Sequence, residues 1–74
     1  MEAINEIYKG LAAANQQLGG ISNDLRDVLN GCYKELVRAR INGDNAAIDQ
    51  LSALHEKIKN SLAVLQAAQL ILGV

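Results

Sequence analysis

The feature that most restricts the fold of this chain is an uncharged stretch, residues 60–74, which reads NSLAVLQAAQLILGV. On a helix of about 3.6 residues per turn, its large apolar side chains point in nearly every direction instead of lying along one stripe. A helix that is apolar on all sides has to be covered on all sides. Because one neighbouring helix covers only part of such a surface, we expect this segment to pack within the chain on one side and to contact another chain on the other.

Length and composition leave few other ways to stabilise the fold. Seventy-four residues form a single domain, 1–74, close to the size at which one core needs a disulfide, a metal or a partner. Cys32 is the only cysteine and His55 the only histidine, so neither an intramolecular disulfide nor the usual zinc ligand set can form. We therefore expect no cofactor and no metal, and association with another protein as the remaining support.

Charge and hydropathy narrow the class of partner. The formal net charge is −1, with basic and acidic residues interleaved, which is not the footprint of a protein that binds nucleic acid or an anionic membrane. Glu2 and Glu6 stand where a signal peptide would carry basic residues. The uncharged stretch is too short to span a bilayer core of roughly 30 Å. We expect a cytoplasmic protein, and the free thiol of Cys32 agrees with a reducing compartment.

The spacing of the apolar residues predicts an all-α fold that begins with a coiled-coil-like helix. Proline, phenylalanine and tryptophan are absent from the sequence, which is rich in residues that favour helices. Gly19 and Gly20 each cost about 1 kcal/mol relative to alanine inside a helix, so we expect an N-terminal helix over about residues 2–18 that ends at them; the alternative is a helix that runs on unbroken. Ser22 or Asn23 would then cap a second helix over about 22–41. The steps of three and four that define the seam run through Ile4, Ile7, Leu11, Ala14, Leu18, Ile21, Leu25 and Val28.

The four residues 42–45, Asn-Gly-Asp-Asn, are the clearest turn signal. Asn or Gly can adopt the left-handed conformation that closes a helix, and Asp44 or Asn45 can cap the next one, over about 45–72. A turn this short predicts an antiparallel helical hairpin with coiled-coil-like packing, in which the numbers of facing residues add to about 87. The predicted inward residues are Leu25, Val28, Leu29, Cys32, Leu36 and Val37 on one helix and Ala47, Ile48, Leu51, Leu54, Ile58, Leu62 and Leu65 on the other.

Two uncharged stretches, 10–22 and 65–74, arrive at the pole of this hairpin that lies away from the turn. We expect the partner to bind there and along the faces that lead to it. Tyrosine suits the rim of such an interface because it has an apolar ring and a polar hydroxyl. The candidate partner-interface residues are Leu11, Leu18, Ile21, Tyr33, Val37, Leu65, Leu70, Ile71 and Leu72.

An enzyme is not expected. On the inward face of its helix, Cys32 is predicted to act as a small apolar filler. The register brings Cys32 near His55, which leaves a Cys-His pair as an alternative, but a catalytic dyad also needs an orienting group and a pocket. The glycine pair is not a phosphate-binding loop, because neither a strand nor a lysine accompanies it. We predict no catalytic residues.

Residues 18–74 resemble a known family. The run LRDVLNGCYKELVRARINGD at 25–44, followed by a capped helix that ends in KIKNSLAVLQAAQLILG, is similar to the small helical-hairpin co-chaperones of bacterial type III secretion (the YscE, PscE and SsaE type). The shared features are a mid-helix Lys-Glu-Leu, a Gly-Asp turn and a closing helix rich in Ala, Leu and Ile. The resemblance implies a cytosolic protein that forms a heterodimer with a tetratricopeptide-like chaperone and keeps the needle subunit soluble before export. The helix at 2–18 is longer and more regular than the family pattern.

Two other functions stay open at the level of the sequence. One is a self-assembling, secreted helical-hairpin subunit of a needle or filament, although such subunits tend to carry proline at the central turn and this chain has none. The other is a homodimeric coiled-coil module, which the regular seam from Ile4 to Val28 favours. An apolar surface is complementary to many others, so the sequence does not choose among these partners.

Overall fold

The computed structural model describes residues 1–73 as two α-helices joined by a tight turn; Val74, the last residue of the uncharged stretch, lies outside the described residues. Helix α1 comprises Glu2–Asn42 and α2 comprises Asn45–Leu72. The two pack side by side along the length of α2. The molecule is a rod of 62 × 14 × 13 Å, and at 1.5 Å per residue its length is that of α1. The predicted all-α antiparallel hairpin is confirmed.

The turn forms through the residues that the sequence indicates. Gly43 closes α1 in the left-handed conformation, with φ 68° and ψ 25°. Its N–H donates to the Arg40 carbonyl, and the N–H of Asp44 donates to the Ala39 carbonyl at 3.0 Å, the bond pattern of a Schellman cap. The Asp44 carboxylate then accepts a hydrogen bond from the N–H of Ala47 at 3.1 Å and caps α2. Only Gly43 and Asp44 lie between the helices.

The predicted register is also confirmed. Three side-chain contacts between the helices, Ser22 to Gln69, Cys32 to the Leu51 carbonyl and Tyr33 to His55, join residues whose numbers add to between 83 and 91, on either side of 87. On each helix the buried and half-buried residues that form the seam recur at alternating steps of three and four, as in a coiled coil. They are Asn15, Leu18, Ser22, Leu25, Leu29, Cys32, Leu36 and Ala39 on α1, and Ile48, Leu51, His55, Ile58, Leu62, Leu65, Gln69 and Leu72 on α2.

The prediction of a separate N-terminal helix at 2–18, with a break before 22–41, was wrong. Helix α1 runs without interruption through both glycines. A Cβ atom at Gly19 would lie 3.3 Å from Nε2 of Gln69, so α2 packs directly against this point. Ser22 does not cap a new helix, because its hydroxyl donates to Oε1 of Gln69 at 3.1 Å. Packing against α2 stabilises the helical conformation of this segment more than the two glycines weaken it.

The phase of the predicted seam was correct in part. Leu18 and Leu25 face α2, whereas Ile21 and Val28 are exposed on one flank of α1. On α2, Leu54 is exposed and the neighbouring His55 occupies the seam position. At Ile21 and Leu54 the cause is that the seam position next to each is polar, Ser22 and His55, and a pattern built from apolar residues alone assigns these places to their apolar neighbours. At Val28 the seam position is the neighbouring Leu29.

The helices differ in length, and this leaves part of α1 without a neighbour. Helix α1 has 41 residues and α2 has 28. Helix α2 ends beside Asn15, whose Nδ2 would lie 3.2 Å from a Cβ atom at Gly73. We call residues 2–14 the overhang, because they extend beyond the end of α2 by about 20 Å at the helical rise.

Candidate protein-interaction site

The last third of α2 presents an apolar surface on the side that faces away from α1. We call this surface the outer patch and define it by five exposed residues that share one helix face, Ala63, Val64, Ala67, Leu70 and Ile71. Leu70 is 78% exposed and Ile71 75% exposed. Their spacing of three, four and seven residues places them together on the helix surface.

Nearer the turn, the same outward face of α2 is polar. Seven residues before Ala63 and Val64, at the same angular positions, stand Glu56 and Lys57, and Asp49 precedes Glu56 by seven more. The outward face of α2 therefore changes from charged near the turn to apolar near its end. Contiguous exposed apolar surfaces of this kind mark contact sites for proteins or membranes.

The end of α2 and the part of α1 beside it carry no charge. No residue of 60–73 is charged, and residues 14–23, the part of α1 that packs beside 64–73, are also uncharged. The ion pairs formed within residues 1–73 lie elsewhere, between Lys9 and Glu6 at 3.6 Å and between Arg38 and Glu35 at 3.0 Å. A protein that covers the outer patch therefore has to desolvate few polar groups, and this removes the main cost of burying such a surface.

A second apolar region lies where α2 ends on α1. The overhang exposes Ile4, Ile7, Tyr8 and Leu11. At the base of the overhang is an open cavity of about 250 Å³, which we call the notch. The amide oxygen of Asn15, in the notch wall, is buried and accepts no hydrogen bond from residues 1–73. The notch is lined by Tyr8, Leu11, Ala12, Asn15, Leu72 and Gly73.

A third apolar region is narrow and follows one flank of α1. Ile7, Ile21 and Val28 are exposed and separated by multiples of seven residues, with the half-buried Ala14 between the first two. We call these residues the flank stripe. It is interrupted at Glu35, the next residue of the series.

The structure distributes the nine predicted interface residues over several places. Leu70 and Ile71 belong to the outer patch, Leu11 to the overhang and Ile21 to the flank stripe. The exposed Tyr33 lies against His55, with ring centroids 6.4 Å apart and planes tilted by 50°. The other four are half-buried, Leu18, Leu65 and Leu72 in the seam and Val37 beside it. The nine residues are therefore not one continuous surface.

Several exposed apolar residues were missed by the sequence prediction. Val64 completes the outer patch and could have been found from its spacing of seven residues from Ile71. Ile4, Ile7 and Tyr8 of the overhang were not among the nine predicted interface residues; Ile4 and Ile7 had been assigned to the coiled-coil seam of a helix expected to end at the glycines. With an unbroken α1, the difference in length between the helices indicates that these residues have no neighbour on α2.

Cys32 and His55 take part in helix packing. The half-buried thiol of Cys32 donates a weak hydrogen bond to the Leu51 carbonyl at 3.5 Å, and His55 is in contact with Tyr33. Within residues 1–73, no group of three His, Cys, Asp or Glu side chains is placed to hold a metal ion. In the same part of the chain, neither helix has the length and hydropathy required to cross a bilayer.

No known protein family matches the chain, no curated protein is significantly similar to it, and no solved structure matches it. The fold and its surfaces define its class: an antiparallel two-helix hairpin that exposes apolar residues on the outward face of α2 and on the overhang of α1.

Proposed function

We propose that the chain is a protein-binding module that contacts a helical partner through the outer patch. The observation that carries this proposal is the change along the outward face of α2, from Asp49, Glu56 and Lys57 to Val64, Leu70 and Ile71. Intramolecular packing does not explain this change, because α1 covers the opposite side of the helix. A partner protein that buries the outer patch would explain why this part of the face is apolar.

The energetics suit a helical partner. The outer patch is an apolar row on a straight helix, which packs into the groove between two helices of another protein. Full burial of each large apolar side chain contributes about 1.5–3 kcal/mol before the cost of association is subtracted. Three such side chains, Val64, Leu70 and Ile71, stand at the centre of the outer patch, and the two alanines allow close approach of the partner backbone.

The narrower form of the proposal is a co-chaperone. In this form the protein binds a tetratricopeptide-like chaperone in the cytoplasm, and the heterodimer keeps a type III secretion needle subunit soluble. The support is the sequence resemblance over residues 18–74 together with a two-helix hairpin of the kind that the resemblance implies. Tetratricopeptide repeats stack helix pairs into concave surfaces, and a rod 14 × 13 Å across that carries the outer patch along one side fits such a surface.

A second candidate function is a self-assembling hairpin subunit of a secreted filament. The observation that favours it is the presence of apolar residues on more than one side of the rod, since the outer patch and the flank stripe lie on different helices. In a filament each subunit contacts several neighbours, so both the outer patch and the flank stripe would be buried against other subunits. A homodimeric module would need only one of these surfaces.

Co-purification of the tagged full-length chain from its native cells, followed by identification of the bound proteins and sedimentation of the complex, tests the proposal. A stoichiometric complex with a helical-repeat chaperone supports the co-chaperone. Long polymers of the chain support the filament subunit, and a lone homodimer contradicts both.

A further inference from the structure

We propose that the overhang is a self-pairing surface, on which the overhang of a second copy of this chain packs antiparallel. The proposal goes beyond the proposed function, because it uses a different face of the molecule and a different partner. Binding through the outer patch leaves the overhang free, so one molecule can use both surfaces at once.

The overhang continues an interface that the fold already uses. From Leu18 and Asn15 the seam of α1 proceeds by the same steps of three and four to Leu11, Tyr8 and Ile4. Helix α2 packs on this face as far as Leu72 and then ends, while α1 continues. The three residues beyond Asn15 are exposed because no helix covers them. The face on which they lie is still the apolar seam face of α1.

The charges of the overhang lie off this face. Glu2, Glu6 and Lys9 are its charged residues, and Lys9 and Glu6 pair with each other on the far side of the helix, where both side chains are exposed. The residues that border the face, Asn5, Ile7 and Ala12, are uncharged. A second helix can therefore cover the face without burying an unpaired charged side chain, which would weaken the pairing.

An identical segment fits this face in one antiparallel register. When the numbers of facing residues add to about 12, Ile4 of each copy lies opposite Tyr8 of the other, and Leu11 lies opposite Met1, so each contact occurs twice about a two-fold axis. A shift of seven residues would place Ile4 of the second copy opposite Asn15, where Leu72 and Gly73 of the first copy already pack. The end of α2 therefore selects the first register.

The notch has a natural occupant in this arrangement. Leu11 forms part of the notch wall, and the register brings Met1 of the second copy opposite Leu11. A methionine side chain is unbranched and flexible, so it fills irregular spaces such as this one.

The amount of surface available indicates a reversible dimer. Each copy contributes Met1, Ile4, Ile7, Tyr8 and Leu11, all exposed in the single chain. At roughly 60–120 Å² of apolar surface for a side chain of this size, ten such side chains bury on the order of 1,000 Å². This area is at the low end for specific interfaces, and we therefore expect a Kd on the order of 10 µM.

Sedimentation velocity of the full chain from about 1 to 200 µM, a range around that Kd, tests the pairing. The chain should pass from monomer to dimer, and Tyr8→Asp should weaken self-association at least tenfold while its helical circular dichroism stays that of the parent. Val64→Asp is the matched control, because Val64 is 69% exposed and Tyr8 62% exposed, but Val64 lies on the outer patch. The control should dimerise like the parent. A parent that stays monomeric throughout, or a Tyr8→Asp variant that dimerises like the parent, overturns the proposal.

Disulfide trapping tests the orientation without relying on a destabilising substitution. In a Cys32→Ser background, chains carrying Ile4→Cys are mixed with chains carrying Tyr8→Cys and oxidised. The antiparallel register predicts mixed disulfides between the two kinds of chain. Homodisulfides at both positions in place of mixed ones indicate a parallel pair and overturn the register. A negative result here does not bear on the proposed function of the outer patch, because that surface is tested separately by substitutions at Ile71.

Discussion

The Ser22 hydroxyl donates a hydrogen bond to Oε1 of Gln69 at 3.1 Å and so joins two residues that are 47 positions apart in the chain. Ser22 is 1% exposed, which makes it the most deeply buried residue of the core. The bond spans the seam next to Gly19, where a Cβ atom would lie 3.3 Å from Nε2 of the same Gln69. It fixes how α2 lies on the glycine-containing segment of α1.

Replacement of Ser22 by alanine should lower the free energy of unfolding by about 1 kcal/mol, because Oε1 of Gln69 then loses its donor in a partly buried place. A second substitution, Gln69→Leu, should recover most of the loss, since both partners are then apolar. Urea unfolding of the two single variants and the double variant measures the coupling. Effects that simply add would show that the two side chains act independently.

The glycines of α1 provide a test of the unbroken helix. Gly20→Ala should stabilise the protein by about 0.5–1 kcal/mol, because nothing lies within 4 Å of the added methyl group and alanine favours the helix. Gly19→Ala should stabilise it less, because its Cβ atom would crowd Nε2 of Gln69 at 3.3 Å. Thermal unfolding compares the two variants. A helix that ends at this pair would show no gain from either substitution.

Gly43 should respond in the opposite direction. Its φ of 68° is in the left-handed region, so Gly43→Ala should destabilise the protein by about 1 kcal/mol. Gly31→Ala is the control, since Gly31 is an exposed residue within α1 with open space around it, and alanine there should be stabilising. Chemical denaturation of both variants should give shifts of opposite sign. Equal shifts would contradict the assigned turn.

The core near the turn should carry much of the stability. Leu36 is buried in the seam, and its replacement by alanine should cost about 2–5 kcal/mol. Because a domain this small has little stability to lose, we expect Leu36→Ala to be largely unfolded at room temperature. Leu54→Ala is the matched control on the exposed side of α2 and should change stability by less than about 1 kcal/mol. Circular dichroism during thermal unfolding measures both, and similar losses would place the seam elsewhere.

The sequence predicts those parts of the fold that depend on local chemistry. The turn follows from Gly43, which tolerates a positive φ, and from Asp44, whose carboxylate reaches the N–H of Ala47. The register then follows from the shortness of the turn. The continuity of α1 could not be predicted in this way, because it depends on contacts between Gly19 or Ser22 and Gln69, which is far away in sequence.

The candidate surfaces could be predicted only in part for a related reason. The absence of charge after Asn60 indicates that α2 has an apolar end, but not which side α1 covers. Leu65 and Leu72 turned out to face α1, whereas Leu70 and Ile71 face away from it. Which of these residues face α1 depends on which positions of α2 form the seam. One of those positions is the polar Gln69, so the spacing of the apolar residues alone does not identify them.

The outer patch as a binding surface is the central claim, and one matched pair of variants tests it most directly. Ile71 and Ile41 are 75% and 79% exposed; Ile41 lies beside the turn and Ile71 at the far end of α2, so Ile71→Asp and Ile41→Asp make the same change in equally exposed places. The measurement is the amount of co-purifying partner protein retained by each tagged variant, with circular dichroism confirming that both are folded. We predict that Ile71→Asp loses the partner because a charge is buried in the interface, and that Ile41→Asp retains it. Equal retention by the two variants would contradict the claim.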